Sequence, residues 1–446
     1  MKYTFPEGVY TDVRVEHLFT AKIAYTFKEL DECKEKQYSA AFIRAFDGDR
    51  WYYASTTDLG AIQAEIDALA KLAHRNEKLA GMPVYGRFSE EKASLFKFTG
   101  NKVSDRVLDD KIALLQSIMP LVEDNAYIKL WQLTYLDEYR VKEFYNSKGA
   151  DLTWDFQRAG FSLRFQMAHE DKRLREAFQV GTAGFDDLKG FEGGLTDKLR
   201  ECENHLLESE AVEPGVYPVI LAPIVTGVFA HECFGHKSES DFMVGDEETK
   251  KEWALGKEVG PAGLTIIDSG LEPGMGYTPY DDEGIPATKT YLIKNGILAG
   301  RLHNAISAAD LDETVTGNAR AMNFEYEPIV RMTTTYIDNG DKTVEELVES
   351  TENGVYVKNI MHGSGMSTFT LAPSLAYYVK NGKISKPVRI SVVSGSVFEA
   401  LSNVDGIADD REMMAFVTGG CGKMAQFPLS VGFGGPHIRI QNMQVQ

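Results

Sequence analysis

Residues 213–236, EPGVYPVILAPIVTGVFAHECFGH, decide how this chain is read. Glu213-Pro214-Gly215 punctuates the backbone, a mainly apolar run from Tyr217 to Ala230 follows, and two histidines bracketing a glutamate close the stretch. Pro-Gly just before a new apolar strand marks a boundary, and 446 residues exceed what one hydrophobic core usually supports. Two domains are therefore expected, at 1–212 and 213–446. The second would carry His231, Glu232 and His236 on a helix.

Upstream of the boundary, residues 9–55 alternate or cluster β-formers and read as an antiparallel opening, with turn material at Asp47-Gly48-Asp49. From Leu59 to Ala80 apolar residues recur at three- and four-residue spacing, the mark of an amphipathic helix, and a second helix is expected over Leu108–Met119. Strands are predicted at Tyr127–Tyr145 and Leu152–Ala168, joined by a turn at Asn146-Ser147-Lys148-Gly149. Leu174–Glu208 reads as mainly helical, broken by glycines between Gly181 and Gly194. Downstream the texture changes. Turns at Glu272-Pro273-Gly274, Lys294-Asn295-Gly296, Glu352-Asn353-Gly354 and Lys380-Asn381-Gly382 predict hairpins, and only two helices are expected there, the histidine-bearing one and Val344–Ser350. The fold class is α+β: an N-terminal α/β domain with an antiparallel sheet and packed helices, then a β-rich domain.

Composition narrows the functions. A net charge of −19 opposes binding to nucleic acid or anionic membrane, which draws on clustered Lys and Arg. The opening MKYTFPEGVYTDVRVEH has no apolar run behind a positive start, and the apolar run before His231 is too short to cross a bilayer. A cytoplasmic protein is expected. Cys33, Cys202, Cys233 and Cys421 are scattered without a C-x-x-C pair, as in reduced intracellular proteins.

Two imidazoles and a carboxylate in six residues are the equipment for holding a metal and activating a water. His169-Glu170 has no second histidine in reach and reads as surface. In the zinc peptidase pattern H-E-x-x-H the ligands are four apart, but His231 and His236 are five apart. On a regular helix five positions rotate by about 140°, which turns the rings away from a common point. A widened, π-type turn across Cys233–Gly235 would bring them back, and Gly235 eases it. A catalytic zinc normally takes three protein ligands. Glu239, Asp241, Asp246 and a distant cysteine are candidates for the third. Cys421 is preferred, because the glycines of Thr418-Gly419-Gly420-Cys421-Gly422-Lys423 allow close approach and a thiolate suits zinc or another divalent transition metal; an inert buried cysteine in a tight turn explains the same residues.

GVFAHECFGHKSES, TIIDSG, TGNAR, IVRMTTTYIDNG and TGGCGKMAQFPLSVGFGGPHIRI, in this order, resemble the blocks of the TldD/PmbA family of metalloproteases, and the N-terminal half is similar more loosely through YTDVRVE and RWYYAST. The resemblance implies that His231, His236 and Cys421 bind the metal, that Glu232 is the catalytic carboxylate, and that a dimer, with itself or with a paralogous subunit, encloses the site. This chain keeps the histidines that partner subunits of the family have lost. One departure is Lys237-Ser238, where family members often carry an apolar residue before the glutamate that is here Glu239.

The expected activity is metal-dependent hydrolysis of unfolded or short peptides by a metal-activated water, with Glu232 as general base. The rival expectations are a non-catalytic metal-binding partner or maturation subunit, and a small-molecule amidase. Asp281-Asp282-Glu283-Gly284 lacks calcium-loop spacing and reads as a turn with exposed carboxylates. His303, His362 and His437 read as structural residues, and the tryptophans as core or interface.

Overall fold

Unusually long strands organise the first half of the computed structural model, which describes residues 2–446. β1 (Tyr10–Thr26), β2 (Glu29–Phe46) and β3 (Trp51–Thr56) lead into α1 (Ile62–Leu72). After β4 (Lys92–Leu95), α2 (Leu108–Ile118) and α3 (Pro120–Glu123) come β5 (Ile128–Asn146), β6 (Asp151–His169), β7 (Lys172–Thr182) and α4 (Glu192–Glu208). They form one seven-stranded sheet in the order β3-β2-β1-β5-β6-β4, with β7 also on β6. Every pairing is antiparallel except β4 with β6. The 19 residues of β5 would extend about 60 Å at the usual rise.

Helices cover this sheet where alternation supplies an apolar face. Ile62, Ile66 and Leu69 of α1 pack on Val13, Val15 and Ile43. Leu115 and Ile118 of α2 and Leu195, Leu199 and Leu206 of α4 pack on Trp131, Leu133 and Phe161.

Three expectations need correction here. Residues 172–182 are a strand rather than helix, paired with β6 from His169↔Lys172 to Ala159↔Thr182. Their side chains suit either state, and the free edge of β6 decides in favour of strand. The predicted 59–80 helix ends at Leu72, because Asn76 turns the chain by donating to the Asp47 carbonyl (2.9 Å) while its Oδ1 accepts from Lys78 N (2.9 Å). The second half has more helix than expected, in six-residue pieces at Glu247–Glu252, Ala305–Asp310 and Val397–Ser402 besides Val344–Glu349. Two of these are set by local caps, Asp246 on the first and a capping box of Asn304 and Ser307 on the second, which leave too little length for a periodic signal.

The second half is built on two sheets around α5 (Pro223–Phe229) and the turn that continues it. Strand 215–221 pairs in parallel with 353–365 and antiparallel with 438–445. Strand 334–337 joins 266–269 to 432–435 in the other sheet. Hairpins turn at Asn295-Gly296 and Asn381-Gly382 with both residues at positive φ, as expected. Asn353-Gly354 instead starts the 353–365 strand. α5 begins with Pro223, whose fixed φ suits a first helical position. Val225, Val228, Phe229 and Phe234 are buried on all sides, as a helix between two sheets requires.

The two halves meet across buried charge. Asp281, Asp282 and Glu283, expected to be exposed, are at most 3% exposed. Asp282 faces Arg14 (3.7 Å) and Lys142, while Glu283 pairs with Arg44 (2.9 Å), which also holds Asp12 (2.8 Å). The run is a turn, but Asp282 and Glu283 bind the N-terminal sheet, while Asp281 accepts from the backbone N–H groups of Glu283, Ile285 and Ala319. Of the lone histidines, His303 is held by Ser240 and Glu313 (both 2.9 Å), and His437 by Asp410 (2.7 Å) and Tyr356 (3.0 Å).

Candidate metal centre

The chain leaves α5 through a π-helical turn, Ala230–Gly235, longer than the distortion expected at Cys233–Gly235. Gly235 makes room for a close approach: a Cβ there would press on Met332 Sδ. The wide turn swings His231 and His236 to the same side, with ring centroids 5.1 Å apart and planes at 80°. Cys233 points the other way, into the core, where burial pushes its thiol well above the ordinary range.

Cys421 arrives on a short hairpin, Cys421–Lys423 against Gln426–Leu429. Gly420 permits its close entry: φ is +154° and a Cβ would lie 2.5 Å from the Leu429 carbonyl. The buried Arg331 guanidinium pins the hairpin, donating to the carbonyls of Cys421 (2.7 Å) and Gln426 (3.4 Å). One ligand-type atom from each of His231, His236 and Cys421 falls within 4.8 Å of the others. Cys421 Sγ lies 3.5 Å from His236 Nε2. Burial alone would raise this thiol, but the imidazoles of His231 and His236 outweigh it and bring it down to about 4.

Glu239, Asp241 and Asp246, weighed as ligands from the sequence, stand outside this triangle. Glu239 sits behind the ring of His236, its Oε2 3.2 Å from Nδ1. It is fully buried, and His236 and Lys423 hold its carboxyl below the usual range against burial. Lys423 Nζ bridges Glu239 (3.1 Å), Asp241 (2.7 Å) and the Val330 carbonyl (2.9 Å). Asp246 caps the helix at 247–252. Sequence reasoning missed Lys423 and Arg331; Lys423, two residues after Cys421 on one strand, carried a period-2 signal. The departure at Lys237 is absorbed locally: its stem is buried, its Nζ lies 5.1 Å above the Phe398 ring, and it ends on Glu252 (2.5 Å).

Glu232 is half-buried and lines a small pocket with His231, Cys421, Val228 and Phe416. The pocket thus joins a carboxylate to two of the three clustered residues under an apolar wall.

Residues 214–446 match the PmbA/TldA metallopeptidase C-terminal domain, and residues 12–80 match domain 1 of the same metallopeptidases. The chain belongs to the PmbA/TldD family. Among its relatives, a protein named metalloprotease from Synechocystis sp. is 31% identical, the match covering 100% of this chain and 98% of that one. A zinc metalloprotease TldD homolog from Saccharolobus solfataricus is also 31% identical, over 71% of each chain. The crystal structure of TldE from Thermococcus kodakarensis aligns with a TM-score of 0.77 at 16% identity, covering 98% of this chain and 96% of the other, a likeness of fold. Among the described residues, no helix of this PmbA/TldD chain is long and apolar enough to cross a membrane.

Proposed function

We propose that this chain hydrolyses peptide bonds in short or unfolded peptides, with His231, His236 and Cys421 holding a divalent transition metal, zinc in the first instance. One observation carries the reading: three donor atoms from two distant segments converge beside a half-buried glutamate. The donor set fits the ion. Two imidazoles and a thiolate are ligands zinc takes, and His231 Nδ1 is buried without a protein partner, an orphan a cation would satisfy.

A cation held there supplies Lewis acidity, polarising the scissile carbonyl and lowering the pKa of the attacking water. The protein does the rest. A Glu232 carboxylate oxygen takes the proton from the water and returns it to the nitrogen of the leaving amine. Glu239 accepts from His236 Nδ1–H, which fixes the ring and leaves Nε2 for the metal. Lys423 balances the charge of Glu239, while Phe416, Val431 and Phe433 keep bulk water from the pocket. We assign the chain to a dimer, with itself or with a paralogous subunit, because Met424 and Phe427 on the Cys421 hairpin are 79% and 61% exposed.

Metal analysis of the purified protein, alongside cleavage of an unfolded peptide with and without chelator, tests this reading. Glu232→Gln is expected to keep metal and fold while losing roughly 10²-fold or more in kcat. Undiminished cleavage by that variant overturns the assignment.

A further inference from the structure

A larger cavity adjoins the Glu232 pocket and a second adjoins that one, and the farther of the two has chemistry that hydrolysis leaves unused. The nearer, about 450 Å³, shares Phe416 with the Glu232 pocket and shares Arg175 and Met361 with the farther, of about 420 Å³. The 353–365 strand links them to the site. Met361 borders both cavities, and two residues on, a Cβ at Gly363 would stand 3.3 Å from Glu232 Cγ. That step is about 7 Å of extended chain.

The chain has 66 acidic and 47 basic residues. The farther cavity is nevertheless lined by Lys172, Arg173, Arg175 and Arg389 and by no carboxylate. The bonds these cations make run to neutral groups: Lys172 to the Leu207 carbonyl, Arg173 to the carbonyls of Glu170 (2.6 Å) and Lys172 (2.7 Å), and Arg389 to the Ser209 carbonyl (2.5 Å) and hydroxyl (3.3 Å). Their charge is left for a ligand. Leu174, Leu206 and Ile390 give the cavity an apolar floor. Ser374 also lines it, 8% exposed, with an Oγ that has no partner. A buried unpaired hydroxyl is costly, and an acceptor seated among the four cations would relieve it.

We propose that this cavity binds a carboxylate of the peptide, either its terminal carboxylate or that of an Asp or Glu beside the terminus, with the apolar floor taking the neighbouring side chain. The assignment rests on the peptide-hydrolase reading and names its substrate class: peptides with an anionic end. Guanidinium groups pair with carboxylates in a planar, two-bond geometry, and such charge-assisted bonds are the strong ones.

Anisotropy of one N-terminally labelled peptide, made as free acid and as amide, tests the proposal on the intact protein, with cleavage of the same two peptides followed in parallel. The acid is expected to bind about tenfold more tightly, the scale of one charge-assisted hydrogen bond. R175Q/R389Q, altered only at exposed positions, should abolish the difference and leave amide binding unchanged. Equal binding of acid and amide, or a preference that survives in the double variant, overturns the proposal. An amidated peptide ending in two aspartates tells the sources apart: recovered affinity means that any carboxylate is read, weak binding that the terminal one is. Cleavage without acid preference refutes this cavity's role and leaves the hydrolase reading standing. Acid preference without cleavage does the reverse.

Discussion

Two cysteines in one chain behave oppositely because of what faces them. Cys233 lies within the histidine motif but is buried in the apolar core, and burial, helped by the charge of Glu232, drives its thiol up; Cys421 is also buried, yet two imidazoles draw its proton away. The thiolate that the proposed metal would take is therefore favoured by its two imidazole neighbours. Replacing Cys421 by Ser, or His231 by Ala, is expected to reduce bound metal from about one per chain toward none by elemental analysis, while Cys233→Ala leaves it unchanged. At this scale the sequence was partly legible. His231, Glu232 and His236 announce themselves by crowding, but Glu239 and Lys423 touch only because a hairpin and a helical turn far apart in the chain are brought together, and no local pattern encodes that contact.

Among elements, the π turn is the feature that arithmetic on the sequence could reach: five-residue spacing is incompatible with a regular helix if both rings serve one point. Gly235 is where that turn is vulnerable. Gly235→Ala forces a methyl against Met332 Sδ and is expected to cost about 1–3 kcal/mol, read as a fall in thermal midpoint, with loss of metal in whatever remains folded. β7 shows where local reading fails. Lys-Arg-Leu-Arg-Glu-Ala-Phe-Gln is acceptable helix material, and only the open edge of β6, assembled from earlier in the chain, makes it a strand. The short helices at 247–252 and 305–310 escape for a different reason, being held by single caps rather than by an apolar stripe.

Across the whole molecule, the acidic run 281–284 is the clearest case of composition misleading. Three carboxylates and a glycine in a turn look solvated, yet Asp282 and Glu283 are the partners of Arg14, Lys142 and Arg44 in the seam between the halves. Asp282→Ala leaves Arg14 and Lys142 buried without their carboxylate, and a loss of about 3–5 kcal/mol is expected in urea unfolding. The seam also sets acid behaviour. Against the upward push of burial, Arg140 and Arg158 hold Glu138 down to about 2, and Lys142 and Arg14 depress Asp282. Carboxyls depressed in the fold contribute stability that is complete above their unfolded values, near 4, and lost as pH falls toward 2. The urea midpoint should accordingly fall through that window, and Glu138→Gln should flatten the dependence. The exposed Met424 and Phe427 lead to a last expectation: light scattering gives a dimer mass, and Met424→Ser with Phe427→Ser shifts it toward the monomer.

The donors of the proposed centre stand 185 positions apart, from His236 to Cys421. A chain leaving the ribosome therefore displays both imidazoles long before the sulfur exists. The hairpin that delivers it needs Arg331 to grip its carbonyls and strand 432–435 to settle against 334–337. On the proposed reading a half-made copy is in this way disarmed, since the groups proposed to cut a peptide meet only after the molecule has ceased to be an unfolded peptide itself.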